Sequence, residues 1–76
     1  MVINNGINRM GRLVESLSHM IANTKPGNRL PSEPELARQL GVSRATLREA
    51  MRTFETQGMI HRRQGAGTFV VHPSQV

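Results

Sequence analysis

The chain contains no cysteine, tryptophan or tyrosine, and its only aromatic residues are two phenylalanines. The absence of cysteine excludes disulfides and thiolate-bound metals. The scarcity of aromatic side chains disfavours single-stranded nucleic acid and RNA as partners, because their bases stack on such side chains. No apolar run is long enough to span a bilayer, and residues 1–12 lack the apolar core of a signal peptide. We therefore expect a cytoplasmic protein with no membrane partner.

Negative charge is also scarce. The five acidic residues are all glutamates, against ten Lys and Arg, which gives a net charge of +5. Positive charge of this size in a small domain suits a polyanionic partner, although charge alone also serves solubility. The sequence contains no pattern of paired carboxylates, of a nucleophile beside a base, or of a phosphate-binding loop, and its three histidines lack metal-ligand spacing. We expect neither catalysis nor a cofactor or metal.

Two helices are predicted in the first half of the chain. Apolar residues recur at three- and four-residue steps over residues 7–23, which is the pattern of a helix with one buried face. Residues 25–32 contain Pro and Gly and are predicted to form a loop. Ser32 and Glu35 have the spacing of a capping box, so a second helix begins there and ends at Gly41.

A third helix and a hairpin follow. Ser43 is a second capping residue, and Gly58 closes the helix that it begins. Residues 59–62 and 68–71 read as two short strands joined by a turn at 64–67. This order predicts a mainly α fold with a small β-hairpin, a winged helix-turn-helix. The pattern alone does not separate this fold from a generic three-helix bundle that carries a hairpin.

The third helix is predicted to have one apolar and one cationic side. At about 100° per residue, Arg44, Arg48 and Arg52 form one ridge that covers roughly 80° of the helix surface. The apolar side, on a neighbouring sector, is formed by Leu47, Ala50, Met51 and Phe54. Three aligned arginines repel one another, and only Glu49 and Glu55 are expected to offset them. Such a ridge suits phosphates, although it could also be a solvated face.

The first turn of this helix is the part that a recognition helix presents to base edges in the major groove. Ser43 and Thr46 carry short hydroxyls that cap the helix and can also contact a phosphate. Arg44 is long enough for a two-pronged contact with guanine, and Ala45 offers a methyl group to thymine. Both hydroxyls have capping as their simpler role.

The hairpin carries a second basic group. Arg62 and Arg63 precede a turn that begins with Gln64 and Gly65. Glycine in a turn permits close approach of the backbone to another surface, although it is also needed for the turn itself. We expect this wing to lie along or in the minor groove of DNA.

Five short motifs follow one another between residues 30 and 70. They are Leu30-Pro31-Ser32-Glu33, Leu36-Ala37, Gly41-Val42-Ser43-Arg44, Leu47-Arg48-Glu49-Ala50 and Gly65-Ala66-Gly67-Thr68-Phe69-Val70. In this order they resemble the DNA-binding domain of GntR-type bacterial transcription regulators. The resemblance implies one winged helix-turn-helix domain over residues 1–76 that reads inverted-repeat operators in double-stranded DNA. It places at DNA contacts the residues Ser43, Arg44, Ala45, Thr46 and Arg48, and at the wing tip Gln64 and Gly65.

The chain departs from the family pattern at two points. Pro34 stands where the family commonly has a DNA-contacting arginine, and Arg38 or Arg29 could replace that contact. Nothing in the chain resembles the family's C-terminal effector-binding domain, so we expect either a fragment cut after the wing or a stand-alone reader. A homodimer would then form on DNA or through that missing domain. Repression is expected, because it is the commoner mode in the family.

The alternative function is a winged helix that docks another protein without reading DNA. An acidic or apolar surface on the third helix would favour it. The ridge of Arg44, Arg48 and Arg52 argues against it.

Overall fold

The computed structural model describes residues 9–71, which form three helices followed by two antiparallel strands. The elements are α1 (Arg9–Ala22), α2 (Glu33–Leu40), α3 (Arg44–Thr56), β1 (Ile60–Arg63) and β2 (Gly67–Val70). This order confirms the predicted mainly α fold with a small hairpin. The predicted start of the first helix, at residue 7, lies outside the described residues.

The first helix buries one stripe of side chains, as its periodicity predicts. Leu13, Leu17 and Ile21 are buried at successive turns on the same side of α1. The helix ends at Ala22, one residue before the predicted end. Just beyond it, the Thr24 hydroxyl donates a hydrogen bond to the carbonyl oxygen of Met20 at 2.8 Å, which satisfies one of the last carbonyls of the helix.

The second helix has the predicted caps at both ends. Ser32 accepts a hydrogen bond from the Glu35 N–H, and Pro34 occupies the first turn, where a missing N–H has no cost. Gly41 adopts the left-handed conformation, with φ 69° and ψ 35°. Residues with a side chain adopt this conformation less readily than glycine does. Only Gly41, Val42 and Ser43 separate α2 from α3, as a helix-turn-helix requires.

The third helix lies at the centre of the core. It packs against α1, α2 and β1. Its buried side is formed by the four residues predicted for it: Leu47, Ala50, Met51 and Phe54. The leucines Leu17, Leu30, Leu36 and Leu47 are the largest fully buried side chains among residues 9–71. Each comes from a different segment of the chain, so the core joins α1, the loop before α2, α2 and α3.

The hairpin begins one residue later than predicted. β1 covers 60–63 and β2 covers 67–70, and their register pairs Ile60 with Val70 and Arg63 with Gly67. The Met59 N–H donates to the Phe54 carbonyl at 2.9 Å, so this residue completes the end of α3. The pairing of Ile60 with Val70 then buries both side chains on the face of the hairpin that covers the core.

The predicted loop before α2 pairs with the hairpin over part of its length. The Leu30 N–H donates to the Thr68 carbonyl at 2.8 Å, and the Val70 N–H donates to the Asn28 carbonyl at 3.0 Å. Arg29 and Phe69 form an antiparallel bridge. Residues 28–30 remain a loop, as predicted, but this loop covers the outer edge of β2 and brings Arg29 to the wing.

Gly67, the first residue of β2, should be less replaceable than Gly65 in the wing turn. Its φ is +120°, and a Cβ there would lie 2.7 Å from Arg29 Cδ, whereas a Cβ on Gly65 (φ +79°) would meet nothing within 4 Å. We expect Gly67→Ala to lower the free energy of unfolding by about 2 kcal/mol and Gly65→Ala by about 1 kcal/mol, measured by urea denaturation.

The double variant Gly67→Ala/Arg29→Ala separates the steric clash from the backbone strain. In the Arg29→Ala background, Gly67→Ala should lower the free energy of unfolding by about 1 kcal/mol less than it does in the unchanged protein. The reason is that the side chain that the new Cβ would strike is no longer there. Equal costs for Gly67→Ala in both backgrounds would contradict the contact with Arg29.

Candidate DNA interface

The exposed side of α3 is cationic. Arg44, Arg48 and Arg52 are all exposed, while the four apolar side chains of the helix are buried. This confirms the predicted division of the helix into two sides. Arg48 and Arg52 also line a groove between α3 and the hairpin, together with Arg62 from β1 and the acidic Glu55 from α3. Basic side chains from two elements therefore meet at one surface.

The start of α3 is held by its capping residue. The Ser43 hydroxyl accepts the Thr46 N–H at 3.1 Å and donates to Thr46 Oγ1 at 2.9 Å. The capping role predicted for Ser43 is thus present, and its hydroxyl proton is already used. Thr46 keeps its own hydroxyl proton for an outside acceptor. Arg44 and Ala45 follow the cap and are exposed.

A glutamate from α2 joins the arginines of α3 and the wing. Glu33 Oε1 accepts a hydrogen bond from Arg48 Nε at 3.1 Å, and Glu33 Oε2 accepts one from Arg62 Nη2. The expectation that only Glu49 and Glu55 offset the charge of the ridge was wrong. The carboxylate that contacts Arg48 belongs to another helix, 15 residues away in sequence, where helical periodicity does not register it.

The two arginines of the wing lie on opposite faces of the hairpin. Successive strand residues alternate in direction, so Arg62 turns toward Glu33 and α3 while Arg63 turns away. The Arg63 guanidinium lies over the ring of Phe69, 5.5 Å from its centroid. The predicted basic group is therefore divided, and only Arg62 shares the surface of the α3 ridge.

The wing tip is a three-residue turn supported from the loop before α2. Gln64 and Gly65 are exposed in this turn, as predicted. The Ala66 N–H donates to the Arg63 carbonyl at 2.9 Å, and Arg29 Nη1 donates to the Ala66 carbonyl at 3.4 Å. Arg29 thus contacts the turn that the wing presents to any partner, a role that no local pattern indicates.

The other candidate replacement for the missing family arginine lies on α2. Arg38 is exposed in the last turn of that helix, and Pro34 is exposed in the first turn. A helix separates them by one turn, so both lie on the outer side of α2. Of the two candidates, Arg29 stands at the wing and Arg38 on the helix that carries Pro34.

Between residues 9 and 71, the His and Glu side chains form no group that could hold a metal ion. None of the three helices is long and apolar enough to cross a membrane.

The family model for bacterial regulatory proteins of the gntR family matches residues 9–70. The chain belongs to the GntR family. The matched region contains all three helices and both strands, so the family assignment and the fold rest on the same residues. It identifies the chain as a DNA-binding domain of a transcription regulator.

GntR-family repressors from several bacteria are similar to the chain in sequence. It is 50% identical over 48 residues to the histidine utilization repressor of Pseudomonas aeruginosa, and this match covers 63% of the chain and 19% of that protein. It is 41% identical over 64 residues to the transcriptional repressor NagR of Bacillus subtilis, and this match covers 82% of the chain and 26% of that protein. The chain therefore spans about a fifth to a quarter of the length of these relatives.

Solved structures of GntR domains on DNA share the fold. The DNA-binding domain of AraR in complex with operator ORX1 has a TM-score of 0.77 and 36% identity, covering 84% of this chain and 80% of that one. A GntR family regulator from Listeria monocytogenes has a TM-score of 0.79 at 20% identity, covering 96% of this chain and 66% of that one. The first comparison connects the fold with DNA, and the second supports the fold alone.

The two capping serines provide a test of how firmly the start of α3 is held. Ser43 accepts its capping N–H at 3.1 Å, whereas the bond to Ser32 at the start of α2 is 3.4 Å long. We expect Ser43→Ala to lower the free energy of unfolding by about 1 kcal/mol, and Ser32→Ala by about half as much. Thermal denaturation of both variants measures the difference. A Ser32→Ala loss equal to or above that of Ser43→Ala would contradict the stronger cap at α3.

Proposed function

We propose that this GntR domain reads a specific operator in double-stranded DNA, with α3 in the major groove and the wing in the minor groove. The observation that carries the proposal is the exposed ridge of Arg44, Arg48 and Arg52 on a helix whose other side is buried. Packing the apolar side directs the basic side outward as a rigid unit. Its length and charge suit a major groove lined by phosphates.

The proposed contacts divide into base readers and phosphate contacts. Arg44 and Ala45, exposed in the first turn of α3, are assigned to base edges. The phosphate contacts from α3 are assigned to Ser43 through its backbone, Thr46, Arg48 and Arg52. These side chains supply most of the affinity, while the first turn supplies most of the sequence preference.

The wing and α2 complete the proposed interface. Gln64 and Gly65 enter the minor groove, where glycine lets the backbone approach closely. Arg62 contacts the backbone beside the α3 ridge, Arg63 contacts it from the other face of the hairpin, and Arg38 from α2.

The names of the relatives support a proposal about regulation. The similar proteins named above are repressors, so we propose that this domain acts in repression, in the bacterial cytoplasm where its DNA lies. The relatives are several times longer than the chain, and a homodimer on an inverted repeat would form on DNA or through a C-terminal effector-binding domain. A domain of this kind needs no catalytic group, and we propose none.

Selection from a random duplex library at two salt concentrations tests the proposal. We expect several rounds of selection to enrich an inverted repeat. Binding to the enriched duplex should weaken less at the higher salt concentration than binding to the unselected pool. Salt-sensitive binding without an enriched motif would reduce the function to general DNA coating. No binding to any duplex would favour the protein-docking alternative.

Removing different arginines of α3 should reduce DNA affinity in different ways. Arg44→Ala is expected to weaken binding to the enriched duplex by about 10-fold or more, with a smaller effect on a scrambled duplex. Arg52→Ala should weaken both duplexes by a similar factor and reduce the salt slope by about one unit, because it removes a phosphate contact. Fluorescence anisotropy titrations at several salt concentrations measure both. An equal loss on both duplexes for Arg44→Ala would make that residue a phosphate contact instead.

A further inference from the structure

Two arginines from separate elements share one carboxylate at the centre of the basic surface. Arg48 of α3 and Arg62 of β1 lie 15 and 29 residues from Glu33 in sequence, and both hydrogen-bond its carboxylate. The Glu33 side chain is 20% exposed, against 58% for Arg48 and 46% for Arg62. The carboxylate is therefore sheltered behind the two guanidinium groups, which remain open to solvent and to DNA.

The position of Glu33 in α2 fixes the carboxylate. It is the first residue of the helix, directly after the capping residue Ser32, and is followed by Pro34. A negative charge is favoured in the first turn, where the backbone N–H groups point outward. Leu36, one turn later, is fully buried and anchors this end of α2 in the core. The two arginines therefore meet a firmly held acceptor.

The atoms that Glu33 uses leave the arginines free to bind something else. Arg48 is held through Nε, so both of its terminal nitrogens carry N–H donors that no other side chain or carbonyl among residues 9–71 uses. Arg62 is held through Nη2 and keeps Nη1 and Nε. A guanidinium that is hydrogen-bonded at one edge presents its remaining N–H donors in a defined direction. The arginine side chain therefore loses less conformational freedom when it binds a partner.

The same contact offsets positive charge that would otherwise attract any phosphate. An exposed ion pair is weak enough to be exchanged when a better-placed acceptor is present. On an arbitrary DNA sequence, Glu33 competes with the phosphates for both arginines. On a matching sequence, phosphate contacts by the two held forks would set the register in which the first turn of α3 meets the base edges.

From these observations, and resting on the operator reading proposed above, we propose that Glu33 is a positioning residue for specificity. It couples the recognition helix to the wing by orienting Arg48 and Arg62. It also lowers the affinity of the domain for non-cognate DNA. Its removal should therefore strengthen general DNA binding and weaken discrimination together.

Three variants separate position from charge. Glu33→Gln removes the charge and keeps the shape. Glu35→Gln removes an equal charge from the same helix at an exposed residue with no ion pair among residues 9–71. Glu33→Asp keeps the charge but shortens the side chain by one methylene, so it cannot reach both guanidinium groups in the same way. Thermal denaturation confirms that each variant is folded before binding is measured.

Each variant has a distinct expected result, measured on the enriched duplex and on a scrambled duplex of equal composition. Glu33→Gln should bind the scrambled duplex about fivefold more tightly, with a salt slope about one unit steeper, and should lose about tenfold in the ratio of the two affinities. Glu35→Gln should change both affinities by one common factor. Glu33→Asp should lower the ratio with the salt slope unchanged.

The overturning results are equally distinct. If Glu33→Gln changed both affinities by the same factor as Glu35→Gln, Glu33 would be a general negative charge and the proposal would be wrong. A fall in melting temperature with no change in slope or ratio would also reject it, because the residue would then be only structural.

A measurement without DNA keeps the inference separate from the proposed function. In NMR spectra of the free domain, the Nε–H signal of Arg48 and the Nη–H signals of Arg62 should shift in Glu33→Gln and stay in place in Glu35→Gln. If no duplex is enriched, the proposed operator function is wrong. These signals and the salt slopes on scrambled DNA still test whether Glu33 links Arg48 to Arg62. Signals that do not move in Glu33→Gln would show that Glu33 does not hold the two arginines.

Discussion

The burial of one side of α3 is the constraint on which the rest of the structure depends. Leu47, Ala50, Met51 and Phe54 fill the space between α1, α2 and β1, and a chain of this size has no second core to replace them. Because these side chains fix the rotation of the helix about its own axis, they also fix where its opposite side points. The basic surface is thus a consequence of apolar packing.

Contacts outside the core give this surface its arrangement. Glu33 ties α2 to α3 and to the hairpin, and Arg29 ties the loop before α2 to the wing turn. Each contact is exposed and adds little to the stability of the fold. Their effect is on orientation, since they set which N–H donors of Arg48 and Arg62 remain for a partner. The buried side chains therefore carry the stability of the fold, while the exposed contacts arrange the basic surface.

The sequence predicted the helices and their caps well, because those signals are local. Ser32, Gly41 and Ser43 lie next to the elements that they begin or end, and each has the predicted role. The strands were predicted one residue out of place. Over four residues, alternation is a weak signal, and the position of β1 depends on Met59 completing α3 and on Ile60 entering the core. The pairing of residues 28–30 with β2 carries no local signal.

The sequence by itself determined the class of fold, the two-sided character of α3 and the membership of a DNA-binding family. Periodicity, capping and motif spacing act between residues within a few positions of each other, so they can be read along the chain. Only the tertiary structure decided that Arg62 turns toward Arg48 while Arg63 turns toward Phe69, and that Glu33 joins the first two. These contacts link residues up to 29 positions apart, and packing alone brings them within reach.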